Sequence, residues 1–213
     1  MLLSPVSRLF WKSVLWLPIC FAVWYYLSIV LVCPLEWLVE KVMVGLYPQW
    51  VFAVEKTGYS LEIITHFTLP NQNSLTIDQA NPGYLTFDIN PLTYGYSLPL
   101  FSALLFASPA LWNDKMPHWG IGIVILLVVQ AIGISFDILK TILFELAPTV
   151  REAIEYKPWL NNGVALGYQF TYLILPAVAP LTLWCFFQRD FLKKLMPELF
   201  ECRKKPSLKI KNG

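Results

Sequence analysis

The stretch that most constrains the fold of this chain runs from Trp119 to Glu145. From Gly120 to Ser135 it holds no charged residue, and Gln130 is its only strongly polar side chain. Continued to Phe144, a run this apolar is long enough to cross a bilayer as a helix, a conformation that satisfies its own backbone hydrogen bonds in lipid. The sequence therefore predicts an integral membrane protein.

The polar residues of this helix lie on one flank. Gln130 and Asp137 are seven residues apart, and so are Gly133 and Lys140, which places all four on one side of a helix. At 1.5 Å per residue, Gln130 lies roughly 16 Å from Trp119, near mid-membrane, whereas Asp137 and Lys140 lie roughly 27–31 Å from it. We expect Gln130 to meet a neighbouring helix and the flank to contact a partner. Asp137 and Lys140 are expected to mark where the helix leaves lipid.

A second apolar run, Val14–Cys33, follows a basic N-terminus that contains Arg8 and Lys12 and no acid. The run is longer than a signal-peptide core and no small-x-small cleavage site follows, while Val32 stands where a lipoprotein signal needs a small residue. Residues 1–33 are therefore predicted to hold the first transmembrane helix. It should start in the cytoplasm, because its basic flank is the N-terminal one.

Residues 34–91 are predicted to lie outside the cytoplasm. Pro34 should end the first helix, and Leu35–Leu46 has the spacing of a short amphipathic helix. This helix either lies at the membrane surface or packs on a soluble domain, and three aromatic residues are candidate interfacial anchors in the first case: Trp37, Tyr47 and Trp50. The net charge between Cys33 and Thr93 is −4, which fits the non-cytoplasmic side.

The same region holds the chain's β-strand signals, which predict a small antiparallel sheet of four strands. They comprise a hairpin over residues 51–69 broken at Thr57-Gly58, a strand over Leu75–Gln79 and a strand over Tyr84–Ile89. Strands this short bury little surface alone. The sheet is therefore expected to rest on the membrane helices or on a partner.

Three further membrane helices are predicted over residues 92–187. The second span is Thr93–Trp112, which holds two prolines, and Asn113–His118 is expected to be a tight connector. The helix described first then leaves the membrane near Glu145. Residues 147–163 are expected to form an external loop with a short helix over Val150–Tyr156. The fourth span is Ala165–Phe187, interrupted by Pro176 and Pro180.

Residues 188–213 form a basic tail with a net charge of +5. Together with the basic N-terminus, it predicts that both termini are cytoplasmic, as an even number of spans requires. We interpret the tail as a topological anchor attracted to anionic membrane lipid. It lacks the interleaved aromatic residues and the fold of a nucleic-acid-binding segment, so we expect no nucleic-acid partner.

The predicted fold class is thus an integral membrane α-helical protein with four transmembrane helices and a small extracytoplasmic antiparallel β insertion. Hydrophobic residues make up 56% of the chain and charged residues 14%, which is too apolar for a soluble domain. The four cysteines form no CxxC pair, and the two histidines form no metal-binding pair. We therefore expect no disulfide scaffold, no metal site and no cofactor.

Two sets of residues suggest chemistry as alternatives to binding. Cys33, His66 and Arg151 share the extracytoplasmic side and supply the thiol, base and cation of a cysteine transpeptidase or peptidase. Gln130, Asp137 and Lys140 could form an ion path in a small transporter, although the last two also fit an interfacial ion pair. The tyrosines of the spans are interpreted as interfacial belts and packing residues: Tyr25, Tyr26, Tyr94, Tyr96, Tyr168 and Tyr172.

Three segments resemble one known family, the exosortase H-associated membrane proteins: Leu17–Ser28 (LPICFAVWYYLS), Val54–Thr65 (VEKTGYSLEIIT) and Asp88–Ala107 (DINPLTYGYSLPLFSALLFA). The resemblance runs in order from the first span through the third. It implies a small bacterial inner-membrane protein encoded beside an exosortase, with an accessory role in sorting secreted proteins. No catalytic residue carries over from the family.

The resemblance also bears on whether the chain is itself the sorting enzyme. Exosortases use a membrane-embedded cysteine with a downstream arginine. Here Cys20 and Cys185 lie in spans without an arginine. The predicted function is therefore a non-enzymatic accessory that binds the sorting enzyme, its substrate or both.

Overall fold

The computed structural model describes residues 5–67, 84–109, 111–146 and 158–195, and its longest element is α1, a helix of 42 residues over Pro5–Leu46. The predicted break at Pro34 is wrong, because α1 runs through both Pro18 and Pro34. A proline removes the helical hydrogen bond to the carbonyl four residues earlier, here that of Val30. The Lys56 ammonium donates to the neighbouring Ile29 carbonyl at 2.7 Å. Polar contacts of this kind from neighbouring segments accompany prolines inside membrane helices.

A three-stranded antiparallel sheet follows α1, with β2 as its central strand. Its strands are β1 (Val51–Thr57), β2 (Ser60–Thr65) and β3 (Thr86–Ile89). The predicted hairpin is confirmed: Thr57 pairs with Ser60, and Gly58 has a φ of 64°, which glycine adopts without strain. The predicted last strand is confirmed as β3. The strand predicted over Leu75–Gln79 lies outside the described residues.

The sheet and the outer part of α1 share one core. Alternate strand residues point to opposite faces, so Val54, Leu61 and Ile63 are buried, whereas Glu55, Glu62 and Asp88 form a row across the other face. The buried face meets three fully buried residues of α1, namely Leu35, Val39 and Met43. The amphipathic segment is therefore helical, as predicted. Its apolar face packs on protein, which favours that alternative over a helix lying flat on the membrane.

Two short helices, α2 (Leu92–Gly95) and α3 (Ser97–Ala107), take the place of the predicted second span. Neither helix alone is long enough to cross a bilayer. They lead from the sheet to the opposite end of the bundle, where Phe106 contacts Trp16 of α1. Two tryptophan N–H groups hold this segment to its neighbours: Trp119 donates to Ser102 at 3.0 Å and Trp184 to Ser108 at 2.8 Å.

The main apolar helix is α4 (Trp112–Lys140), followed by a π-helical segment, Thr141–Glu145. The helix ends at Glu145, near where the sequence predicts that it leaves the membrane. The connector predicted over Asn113–His118 is wrong, because these residues belong to α4. The buried side chain of Lys115 explains why: its ammonium donates to the Phe106 carbonyl at 3.0 Å and lies 5.2 Å from the centre of the Trp112 ring. The polar residues thus start a helix here and do not form a loop.

The last long helix runs from Pro158 to Phe187 in three parts: α5 (Pro158–Gln169), a π-helical segment (Phe170–Ile174) and α6 (Leu175–Phe187). It contains the predicted fourth span, but the prolines do not interrupt it. The π-helical segment ends at Ile174, two residues before Pro176, and accommodates the change in hydrogen bonding near that proline. The external-loop prediction fails at residues 158–163, which are helical, and its remainder lies outside the described residues. A short helix, α7 (Arg189–Leu195), follows.

Three of the described helices are long and apolar enough to cross a membrane: α1, α4 with its π-helical extension, and the helix formed by α5 and α6. The predicted count of four spans is not confirmed, because α2 and α3 together form only a shorter apolar segment. Two apolar cores result. One lies beneath the sheet, and the other lies between α3, α4 and α6 around the fully buried Phe101.

Candidate functional site

The first candidate site is the junction between β1 and α1 beside Pro34. The backbone N–H of Lys56 donates to the Glu36 carboxylate at 3.2 Å. The Lys56 side chain then runs along α1, where its ammonium donates to the Ile29 carbonyl and lies 3.1 Å from the Cys33 sulfur. One lysine thus fixes the edge of the sheet to the helix at both its backbone and its side chain.

This junction bears on the hypothesis of a catalytic Cys33, His66 and Arg151. Cys33 is exposed, and its described partners are Lys56 and the Ile29 carbonyl. His66 contacts two aromatic rings of the sheet, those of Phe52 and Tyr84, edge to face. The described contacts do not bring the thiol and the imidazole together, and Arg151 lies outside the described residues. Within the described part of the chain, the cation beside the thiol is Lys56.

The second candidate site is the flank of α4 predicted to contact a partner. The amide nitrogen of Gln130 donates to the Pro91 carbonyl at 2.8 Å, and the residue is almost fully buried. Gly133 faces the Tyr94 ring, because a Cβ there would lie 2.8 Å from a ring carbon. The segment around α2 therefore covers this part of the flank within the chain itself. Contact of a partner protein with Gln130, Gly133, Asp137 and Lys140 stays a prediction.

Two buried polar atoms at this flank lack partners. The Tyr94 hydroxyl and the Gln130 carbonyl oxygen find no hydrogen-bond partner within the described residues. The Tyr94 hydroxyl is close enough to the Asp137 carboxylate to interact with its charge, although the two groups lack hydrogen-bond geometry. A buried polar group without a partner costs stability. These two unpaired atoms therefore make the flank less stable than a fully apolar contact would be.

The outer end of the flank is an ion-pair cluster. The Lys140 ammonium lies 3.9 Å from Asp137 and 2.6 Å from Glu145. It also lies 4.9 Å from the centre of the Tyr168 ring, which stacks on Tyr172. The predicted interfacial pair of Asp137 and Lys140 is therefore present, but the shorter pair is with Glu145. The π-helical turn produces it, because residues five apart face each other there.

Sequence reasoning missed Lys56, Tyr94 and Glu145. Lys56 was detectable in principle, since it is one of only two basic residues between Cys33 and Thr93. Tyr94 is positioned by the short helix α2 and Glu145 by the π-helical turn, and neither element leaves a distinct sequence pattern. Across the described residues, no group of three or more histidine, cysteine and acidic side chains could hold a metal ion.

The Lys140 cluster gives a first testable prediction. We expect Glu145→Gln and Asp137→Asn each to lower the free energy of unfolding by less than about 1 kcal/mol, because the charged groups are partly exposed and solvent screens them. The double variant should lose more than the sum, since it leaves Lys140 without a carboxylate. Chemical unfolding in detergent measures this, with Asp190→Asn at the exposed Lys193 pair as control. A loss of several kcal/mol in either single variant would contradict it.

Comparison with known proteins places the chain in a family. No curated protein and no solved structure matches it. The exosortase H-associated membrane protein family matches residues 3–191, which include all the described helices that could cross a membrane and the whole sheet. The resemblance noted from three segments is thereby confirmed, and so is a membrane location. This chain belongs to the exosortase H-associated membrane protein family.

Proposed function

We propose that the protein is a non-enzymatic accessory of a bacterial exosortase sorting system and binds the sorting enzyme, its substrate or both. The observation that carries the proposal is the family match over residues 3–191, whose description states association with an exosortase. In the proposed topology the protein is a multi-pass component of the inner membrane with both termini in the cytoplasm. The segment α2–α3 makes the fourth passage, and the sheet lies outside.

The architecture supports a binding role. The sheet rests on the outer end of α1, which gives a partner a fixed extracytoplasmic surface. Of the two edge strands in the described part of the sheet, β1 has an outward amide bonded to Glu36, so we assign contact with an extended substrate segment to β3. Edge pairing of this kind binds peptides through main-chain hydrogen bonds.

The test is processing of a C-terminally tagged sorting substrate in the native host, followed by immunoblot. Deleting this protein should block processing, and the Cys33→Ala variant should restore it fully. That substitution leaves the bond from Lys56 to the Ile29 carbonyl in place. Cys185→Ala, at a second exposed cysteine among the described residues, is the matched control.

Two results would contradict the proposal. If Cys33→Ala is stably expressed yet fails to restore processing while Cys185→Ala restores it, the thiol takes part in chemistry. If deletion leaves processing unchanged, the assignment to sorting is wrong. In that case Asp137→Asn becomes the next variant to test, because it separates an ion path from a structural ion pair.

A further inference from the structure

The membrane part of α1 presents an exposed face. Ala22, Tyr26 and Val30 follow one another at helical spacing and are all exposed; we call them the Tyr26 face. Tyr26 is 83% exposed and the adjacent Tyr25 is 62% exposed. Their rings contact each other edge to face, and neither hydroxyl makes a hydrogen bond within the described part of the chain.

The depth of these tyrosines makes them unusual. Lys12 and Glu36 bound an uncharged stretch of α1 whose midpoint is residue 24. Side chains of a helix point towards its N-terminus, so both hydroxyls lie over the preceding turn, near residues 21–22. At 1.5 Å per residue that level is roughly 3–5 Å from the midpoint and roughly 13 Å from the nearer end of the stretch. The hydroxyls therefore lie near the middle of the uncharged stretch of α1, far from both of its ends.

The exposed residues of α4 at membrane depth differ from this face. They are all aliphatic: Ile121, Val124, Ile125, Val128 and Ile132. Such side chains suit contact with lipid tails. Two phenolic hydroxyls in hydrocarbon have no water to bond and are costly unless another protein group accepts from them.

Association of membrane helices uses this kind of surface. Small residues let two helices approach closely, and polar side chains bond across the contact. Ala22 lies one turn before Tyr26, beside the level at which the hydroxyl sits. The face therefore combines a close-approach position with hydrogen-bond donors.

We propose that the Tyr26 face docks a transmembrane helix of the exosortase-type enzyme, one that presents hydrogen-bond acceptors near the bilayer centre. The inference rests on the proposed function, since association with that enzyme supplies the occupant. The contact would involve both tyrosine hydroxyls as donors. It would bury the side of α1 that faces away from α3 and α4.

The experiment uses the full-length protein expressed with the host's tagged exosortase. A photo-crosslinking amino acid at position 26 should give an adduct with the enzyme, whereas the same group at Val124, exposed on α4, should not. Replacing both tyrosines by phenylalanine keeps the apolar surface and removes the donors. Membrane hydrogen bonds of this kind change association about threefold to thirtyfold each, so we expect co-purification with the enzyme to fall about tenfold. Tyr59→Phe, in the exposed hairpin turn, is the matched control.

The outcomes separate the docking site from the function. If the wild type co-purifies with the enzyme but the double variant does so equally well and position 26 gives no adduct, the docking site is wrong while the accessory role stands. An adduct only with a second copy of this chain would assign the face to self-association and overturn the proposal. If the wild type does not co-purify at all, the proposed function fails, and with it the enzyme as occupant.

Discussion

Replacing Gly122 by leucine is expected to prevent α3 from packing on α4. A Cβ at this position would overlap the ring of Phe101, whose side chain is fully buried. Segment α3 cannot simply move away, because Trp119 and Trp184 bond to it on two sides. Overfilling a packed core costs about 1–3 kcal/mol, and sometimes more. Leucine adds far more than a Cβ, so we expect a loss of about 3 kcal/mol.

The matched control lies two residues earlier on the same helix. A Cβ on Gly120 would meet nothing within 4 Å, so Gly120→Leu should leave stability nearly unchanged. Both variants keep the helix equally apolar and suited to the membrane. The measurement is the unfolding midpoint in detergent, together with the yield of monodisperse protein. Equal behaviour of the two variants would mean that Phe101 does not pack on α4 as described.

The second large effect is expected for Lys56→Met, which should loosen the sheet from α1. Methionine keeps most of the apolar stem but leaves the Ile29 carbonyl without the ammonium that bonds to it at 2.7 Å. This bond is exposed, so its loss is expected to cost about 0.5–1.5 kcal/mol, the net contribution of a typical hydrogen bond. The backbone bond from residue 56 to Glu36 does not depend on the side chain. We therefore expect faster opening of β1 without global unfolding.

Hydrogen exchange measured by mass spectrometry tests this directly. Amides of β1 should exchange faster in Lys56→Met, while those of α4 should not change. Lys41→Met is the control, because Lys41 is an exposed lysine on the same outer part of α1. Unchanged exchange in β1 would show that the apolar core beneath the sheet holds it without help from Lys56.

The apolar runs predicted the membrane class because the bilayer imposes a length on any helix that crosses it. They did not predict how the segment assigned to the second span would fold. Its twenty residues from Thr93 to Trp112 are apolar enough for a span, yet α3 is only 11 residues long. Burial of both α3 faces within the bundle replaces contact with lipid. Composition alone cannot distinguish these two environments.

Sequence rules that consider only neighbouring residues failed where a residue distant in sequence contacts the same segment. Proline usually ends a helix, but α1 continues through Pro34, and a lysine from a strand some twenty residues later donates to the Ile29 carbonyl beside it. Gln130 shows the opposite case. Its position in the apolar run predicted that its side chain is buried and needs a hydrogen-bond partner. Only the fold identifies the Pro91 carbonyl as the acceptor.

The continuity of α1 has a mechanical consequence. Tyr26 and Leu35 are nine residues apart, about two and a half turns, so they point to opposite sides of the axis with a rise of about 13 Å between them. Because one continuous helix connects them, the sheet cannot rotate freely around the axis relative to the membrane portion of α1. Inserting one residue into α1 between these positions would rotate the sheet by about 100° around the helix axis. The helix thus fixes both the height of the sheet along the axis and its direction around the axis relative to the Tyr26 face.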